Sequence, residues 1–493
     1  MNVRQFLRIN PTDTVGVALR DLSAGERIGK ISLASSIPAG HKIALHTHAA
    51  GDPVIKYGQK IGKAIRPINA GEHVHTHNLA TDLVGEIIYR PHTYVSSSPQ
   101  SVIESAPTWL GYRRADGRVA TRNEVWILPT VGCVAQLAEQ VARSANERHR
   151  GSLDGIFAFS HPHGCSQLGD DLDATRKILL GLALNPNASG VLFLGLGCES
   201  NQLTELLSRL PDHARDKIRS LTTQDVRDEE SAASRLIDEL VEKGRIATRE
   251  EVSLSALSVG LKCGGSDSFS GLTANPLFGR FSNRLVALGG QTLLTEIPEI
   301  FGAEESLLSR ATSRPVFESA ASLINKFKRY FLEQGLPVSE NPSPGNIAGG
   351  ITTLEEKSLG AVQKGGVASL TDVVEYGDLA QRSGLTLLEA PGNDAISSTA
   401  LIAAGANLLF FSTGRGTPLG FPVPTIKVAS NRALAESKPH WIDFDSSGAL
   451  DSDTEVIDAA FMQLVCQIAS GQRCQAEVRN QRNIAIWKRG ATL

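Results

Sequence analysis

The stretch "GVLFLGLGCESNQLTELLSRL", residues 190–210, decides the fold. A short apolar run ends in Gly197 and Cys198, and a polar turn then leads into a helical pattern. "VWILPTVGCVAQLAEQVARSA" at 125–145 and "GIFAFSHPHGCSQ" at 155–167 repeat the arrangement. Further along, "LSVGLKCGGSDSFSG" (257–271), "LLTEIPEIFG" (293–302), "LTLLEAPGNDAISSTALIAAG" (385–405) and "NLLFFSTGRGTPLGF" (407–421) continue it. Strands alternating with helices predict an α/β body with parallel sheets. The acidic, helix-prone segment 211–250 is the expected seam between its two parts.

The first ninety residues have another texture. "SAGERIG" at 23, "AAGDPVIKYG" at 49 and "NAGEHVHTHN" at 69 each set a glycine turn before a β-prone run. One small β-rich unit with several hairpins is expected over 1–94. Residues 95–108, "VSSSPQSVIESAPT", read as a linker. The body then divides into 109–250 and 251–493.

With 493 residues, 41% apolar and 20% charged, the chain has the composition of a multidomain globular protein. A formal charge of −3 supplies no basic field, which argues against nucleic acid and anionic membrane as partners. No apolar run is long enough to span a bilayer, and "MNVRQFLRINPTD" lacks a signal-peptide core, so a cytoplasmic address is expected. Six cysteines in such a chain do not make a disulfide framework.

In open α/β sheets, ligands bind beyond the C-terminal ends of the strands. Cys133, Cys165 (with His161 and His163), Cys198 and Cys263 (with Asp267) all follow predicted strands there. A thiolate-rich metal pocket competes with small buried cysteines at glycine turns. For one cysteine the second reading is simpler; for four together the two stand level. Cys466 and Cys474 look structural. No CxxC pair occurs, which argues against an independent zinc ribbon.

Half of the twelve histidines lie between 41 and 77. On a strand, His73, His75 and His77 would share one face at about 7 Å spacing, and with His41 they point to a metal or substrate site. Gly-rich stretches at 263–283, 341–360 and 390–427 offer backbone N–H groups to an anion. Asn275, Asn346, Asn393 and Arg415 are the expected substrate contacts there, and Lys427 is a further candidate cation. No P-loop and no convincing dinucleotide fingerprint is present.

Read in order, "AGEHVHTHN", "RNEVWILPTVGCV", "GCSQLGDD", "GLGCE", "CGGSDSFSGLTANP", "APGNDA" and "FSTGRGTP" make the chain resemble the altronate dehydratase and galactarate dehydratase family of sugar-acid hydro-lyases. "HVHTHN", "NPSPGNIAGGITTLEEKSLG" and the ending "AIWKRGATL" are similar to its altronate branch. The resemblance implies an N-terminal SAF (β-clip) module before a two-part α/β body. It implies a metal-dependent lyase that removes water from altronate to give 2-keto-3-deoxygluconate in hexuronate catabolism, with galactarate as the alternative substrate. A non-catalytic sugar-acid-binding protein is the reading from another class. The cofactor implied is Fe²⁺, or Mn²⁺ in its place, with an iron–sulfur centre still open. A small sugar acid is the expected partner, and a homo-oligomer is compatible with it.

Two metal schemes follow. In one, His41, His75 and His77 hold a single iron over the body. In the other, Cys133, Cys165, Cys198 and Cys263 hold it, and histidines act as acid and base. His161, His163, Asp267 and Lys427 are the candidate acid–base residues. His46 and His48 depart from the family pattern and are expected to be surface histidines.

Overall fold

The computed structural model describes residues 5–91, 94, 106–451 and 453–493. Most of the expected linker, 95–105, lies outside them; Thr108 already begins a strand.

The N-terminal module holds a two-stranded antiparallel pair, Arg27–Ile28 with Ile31–Ser32, and two larger antiparallel sheets. One takes the order Phe6–Leu7, Val15–Ala18, Lys42–Ala44, His73–Val74; the other pairs Pro53–Lys56, Gln59–Ala64 and Leu79–Ala80. Tyr57 (φ 61°) and Gly58 (φ 71°) link the hairpin whose closing pair is Lys56 and Gln59. Two left-handed residues in a two-residue turn match the right-handed twist of the flanking strands.

The first part of the body is a four-stranded parallel sheet in the order Gly155–Ala158, Glu124–Pro129, Ala188–Gly195, Ile218–Thr222. Glu124–Pro129 is buried along its whole length, which explains its unbroken apolar run. The helix Ala135–Arg148 buries Ala138, Val141, Ala142 and Ala145, an i, i+3, i+4, i+7 stripe turned to the sheet. The acidic segment 211–250 is not a connector: it supplies the fourth strand and the helix Glu229–Gly244 packed beside it.

The second part is a seven-stranded parallel sheet. Its order is Leu370–Val374, Gly384–Leu388, Gln291–Leu294, Ser258–Cys263, Leu408–Thr413, Thr425–Ala429, Phe444–Asp445. The chain leaves Ser258–Cys263 toward one side and returns later to the other, so this central strand is the topological switch point. The two parts are stitched by the Thr108–Arg113 and Glu250–Ser253 pair and by Arg122, whose guanidinium grips Glu477 at 2.7 and 2.8 Å in the buried interior. The parallel α/β body and the β-rich module in front of it are therefore as the sequence led us to expect. No helix among the described residues is long and apolar enough to cross a membrane.

Candidate active site

A polar cavity of about 400 Å³ opens at the end of the central strand. Cys263, Glu299, Asn341, Asn346, Lys357 and Asp394 are among the residues that line it. Cys263, Glu299 and Asp394 arrive from or just after three different strands, the usual consequence of parallel strands sharing one edge, while Asn341, Asn346 and Lys357 come from the segment 341–357 that covers them.

The floor of this cavity is a buried charge network. Lys262 Nζ pairs with Glu296 and with Asp394 Oδ1 at 2.7 Å. Lys357 Nζ holds Glu299 at 2.8 Å and Asn341 Oδ1 at 3.0 Å. Lys364 Nζ lies 2.7 Å from Cys263 Sγ. Burial alone would raise the Glu299 carboxyl, but Lys357, Lys364 and Lys262 outweigh it and hold it at about 2. Burial and the Glu299 charge push Glu296 up. Burial and the same carboxylate push the Cys263 thiol up to about 11, so it keeps its proton. Glu296 also has a left-handed backbone, φ 66° and ψ 62°, and its buried Oε2 accepts no hydrogen bond, with Lys364 Nζ 3.8 Å away. Strain and a perturbed buried carboxylate coincide at functional sites.

Cys263 and the two glutamates bring three metal-capable atoms within 4.8 Å, the one such trio among the described residues. Three ammonium groups already face the three carboxylates of Glu296, Glu299 and Asp394. Adding a dication to a balanced buried network, beside a protonated thiol, would leave charge uncompensated. This trio does not fit a metal.

The N-terminal module closes on the cavity's rim. Lys42 Nζ reaches Gly350 O at 2.7 Å and Glu356 Oε2 at 2.8 Å; Lys56 Nζ reaches Glu356 Oε1 at 2.7 Å. The short helix Pro344–Ala348 then serves both sides. Asn346 faces the cavity, bonded to Ser266 O at 2.8 Å. The carbonyls of Ile347 and Ala348 accept from His75 Nε2 at 3.1 Å and His41 Nε2 at 3.3 Å. With Nε2 donating, His41 Nδ1 presents its lone pair, 3.0 Å from His73 Nε2. Ligands at about 2.1 Å around a right-angled metal would stand about 3.0 Å apart. A carbonyl on the far nitrogen is also how ligating histidines are oriented. Burial holds His41, His73 (to about 3) and His75 below the ordinary imidazole value, in the neutral form that binds metals. His41 and His73 therefore fit a divalent metal, with His75 and His77 close by: the ring centroids are 5.1 Å from His41 to His75 and 5.6 Å from His73 to His77.

The histidines meet for a reason other than strand alternation. The strand ends at Val74, and His75 begins a turn closed by Asn78, whose Oδ1 accepts from His75 N at 2.9 Å. The partner strand Lys42–Ala44 then delivers His41. His73, absent from the first metal scheme, holds the central place. His48 is buried, bonded to Thr14 Oγ1 at 2.9 Å, rather than on the surface.

The four thiols do not share one pocket. Cys133, Cys165 and Cys198 are exposed at the ends of the four-stranded sheet, whereas Cys263 is buried in the seven-stranded one. Several candidate side chains are committed to bracing loops. His161 donates to Pro129 O at 2.8 Å and accepts from His163 N at 3.2 Å, and burial lowers it to about 4. His163 is half-buried in the same loop, its ring bonded to backbone at Ile486. Asp267 accepts from Ser270 N, Ser430 Oγ and Asn431 Nδ2 at 2.7–2.9 Å. Lys427 donates to Thr417 O at 2.9 Å, and Asn275 spans Gly360 O and Ser412 Oγ. Asn393 caps the helix Asp394–Ala403 at the cavity wall. Arg415 is exposed at the rim, 3.5 Å from Gly345 O, with most of its guanidinium uncommitted. The residues passed over in the sequence are Lys262, Glu296, Glu299, Lys357, Lys364 and Asp394. "TEIPE" and "LKC" sit at strand ends as plainly as the cysteines do.

Three family models cover the chain in the same order. The altronate/galactarate dehydratase SAF domain matches residues 4–82, the second domain of D-galactarate dehydratase/altronate hydrolase matches 111–245, and the C-terminal domain of D-galactarate/altronate dehydratase matches 254–492. The chain belongs to the altronate/galactarate dehydratase family. Within this dehydratase family it is 46% identical to an altronate dehydratase of Bacillus subtilis (strain 168), over 100% of both chains. It is 44% identical to an altronate dehydratase of Escherichia coli (strain K12), over 99% of this chain and 100% of that one. A galactarate dehydratase (L-threo-forming) of Escherichia coli (strain K12) is 30% identical over 95% and 93% of the two chains. The dehydratase chain is thus nearer in sequence to those two altronate enzymes than to this galactarate enzyme.

Proposed function

We propose that the protein is an altronate dehydratase, converting D-altronate to 2-keto-3-deoxygluconate. The observation that carries this reading is the polar cavity at the switch point, with a histidine-bearing module docked on the helix Pro344–Ala348 beside it, in a chain 44–46% identical to altronate dehydratases over its full length.

The reaction removes the C2 proton and the C3 hydroxyl. The proton is weakly acidic because its neighbour is a carboxylate, and the leaving group is hydroxide. Arg415 at the rim and Lys357 in the wall supply cations for the substrate carboxylate, which a planar guanidinium holds by two bonds. Burial works against the charged form of Lys357, but the charge and hydrogen bond of Glu299, with Cys263 and Glu296 behind it, together raise the ammonium. Asp394 lines the cavity with a side chain 38% exposed, the accessible carboxylate of the network, and is assigned the C2 proton. Lys262, raised by Glu296 and Asp394 against its burial, holds that carboxylate in place. Fe²⁺ or Mn²⁺ on His41 and His73 would supply Lewis acidity toward the carboxylate and the departing hydroxyl. Six free cysteines support a reducing, cytoplasmic setting.

The test is a panel of aldonic and aldaric acids, with and without Fe²⁺, scored for 2-keto-3-deoxy acid. Altronate turnover well above galactarate turnover is expected. Galactarate turnover equal to or above it would sink the assignment.

A further inference from the structure

The four-stranded sheet has a switch point of its own, and the dehydration reading makes no use of it. Glu124–Pro129 is its central first strand, with Gly155–Ala158 on one side and Ala188–Gly195 on the other. The loops leaving these three strands carry the same dipeptide: Gly132-Cys133, Gly164-Cys165 and Gly197-Cys198. All three thiols are exposed.

The loops are laced to one another at the cysteines. Gly132 N donates to His163 O at 2.9 Å. Asn201 N donates to Gly164 O, and Asn201 Nδ2 to Thr130 O, both at 2.9 Å. Ser166 N meets Ser200 Oγ at 3.3 Å. The glycines are needed for this close approach: a Cβ on Gly164 would stand 2.0 Å from Thr130 O, and one on Gly132 would stand 3.1 Å from His161 O. Gly164 and Gly197 also take φ of 103° and 130°. The backbone thus brings the three cysteine-bearing loops against one another.

Neutral donors stand beside two of the sulfurs: Gln224 Nε2 is 3.6 Å from Cys198 Sγ and Ser166 Oγ is 3.8 Å from Cys165 Sγ. Glu199, beside Cys198, spends its carboxylate on Thr130 Oγ1, Leu196 N and Gly197 N at 2.6–3.1 Å. His161 is committed to Pro129 O. Soft thiolates without carboxylate select zinc, copper or iron–sulfur clusters. Spacing separates these. Around a single zinc, sulfurs at about 2.3 Å from the metal stand about 3.8 Å apart. The three thiols are not gathered within 4.8 Å of one another. A cluster places each thiolate on a different iron and takes the wider spacing.

We infer that Cys133, Cys165 and Cys198 bind a 4Fe–4S cluster, leaving its fourth iron open to a solvent or substrate oxygen. Cys263, on the other sheet, takes no part. Binding converts three S–H groups to three Fe–S bonds, and the protons go to solvent.

The test is anaerobic reconstitution of the full-length protein with sulfide and an equimolar mixture of ferrous and ferric iron, so that no electron need be added or removed. After desalting, about four irons and four acid-labile sulfides per chain are expected, with visible charge-transfer absorption. Cys133→Ser, Cys165→Ser and Cys198→Ser, singly and together, should lose at least ten-fold in sulfide. Cys263→Ser and the His41→Ala/His73→Ala variant should keep it. Because the three cysteines are exposed, the variants are expected to unfold at the temperature of the untreated protein, which separates lost ligation from lost folding. Iron retained without sulfide, no iron after desalting, or full sulfide in the triple variant would each overturn the assignment. Since sulfide is the readout, failure here leaves the altronate assignment untouched, and the reverse holds too.

Discussion

Lys42 Nζ lies 2.8 Å from Glu356 Oε2, joining residues 314 positions apart across the module–body boundary. Lys56 takes the other oxygen of the same carboxylate at 2.7 Å. All three side chains are essentially out of solvent. Removing the central member of a buried network costs more than the pair contributes, because charges are left unpaired. Glu356→Gln is expected to destabilise the protein by about 3–5 kcal/mol, with the loss read in denaturant unfolding. A midpoint within error of the parent would show that the module is held by something else.

The same carboxylate sets a pH limit. Burial would raise Glu356, but Lys42 and Lys56 outweigh it and hold it at about 2, below its ordinary 4.5. A lowered folded-state value gives stability that is full above 4.5 and is lost as pH falls toward 2. Thermal unfolding of the parent should drop through that window, and Glu356→Gln should flatten this part of the profile. Parallel profiles would contradict it.

The histidines make a separate claim. His41 and His73 stand at ligand spacing, while His46 is exposed. His41→Ala and His73→Ala should each weaken Mn²⁺ or Fe²⁺ binding at least ten-fold in anaerobic titration calorimetry, with His46→Ala unchanged. Undiminished affinity in the double variant would move the metal elsewhere.

Much of this was legible from residue pattern. Apolar runs ending in glycine announced the parallel sheets, because strands buried on both faces need no alternation. The histidines announced a site, but strand alternation was the wrong reason: Asn78 turns the chain after Val74, and pairing with a strand thirty residues earlier brings His41 in. The lysine–carboxylate network was not legible. Lys262, Lys357 and Lys364 look like ordinary surface lysines until folding buries them, and only three-dimensional pairing with Glu296, Glu299 and Asp394 distinguishes them. Cysteines suffered the opposite error. Their common position at strand ends was real, but two separate sheets have two separate edges.

Arg415 is the exposed cation at the cavity rim, beside Gly345. If it binds the substrate carboxylate in ground and transition states alike, its loss should appear in KM. Arg415→Gln is expected to raise KM for altronate at least ten-fold with kcat within about three-fold, and Arg415→Lys to recover only part, since the two-bond grip is lost. A kcat defect with unchanged KM would assign the residue to the chemical step instead.

Asp394 is where position and chemistry separate most sharply. It opens the helix Asp394–Ala403, its Oδ1 is held by Lys262 at 2.7 Å, and it is the most accessible carboxylate of the network. Substitution by Asn keeps the size and one oxygen for Lys262 while removing the group that accepts a proton. The helix start should survive, because Asn393 caps it by accepting from Ala395 N and Ile396 N at 3.1 Å. General-base loss costs about 10²–10⁴ in rate. Asp394→Asn is therefore expected to lower kcat by that range with little change in KM, and to abolish solvent-deuterium exchange at C2 of the substrate. The exchange measurement is the decisive one. A variant that no longer dehydrates but still exchanges the C2 proton would clear Asp394 of the proton-abstracting role and leave Glu299 as the remaining carboxylate in the wall.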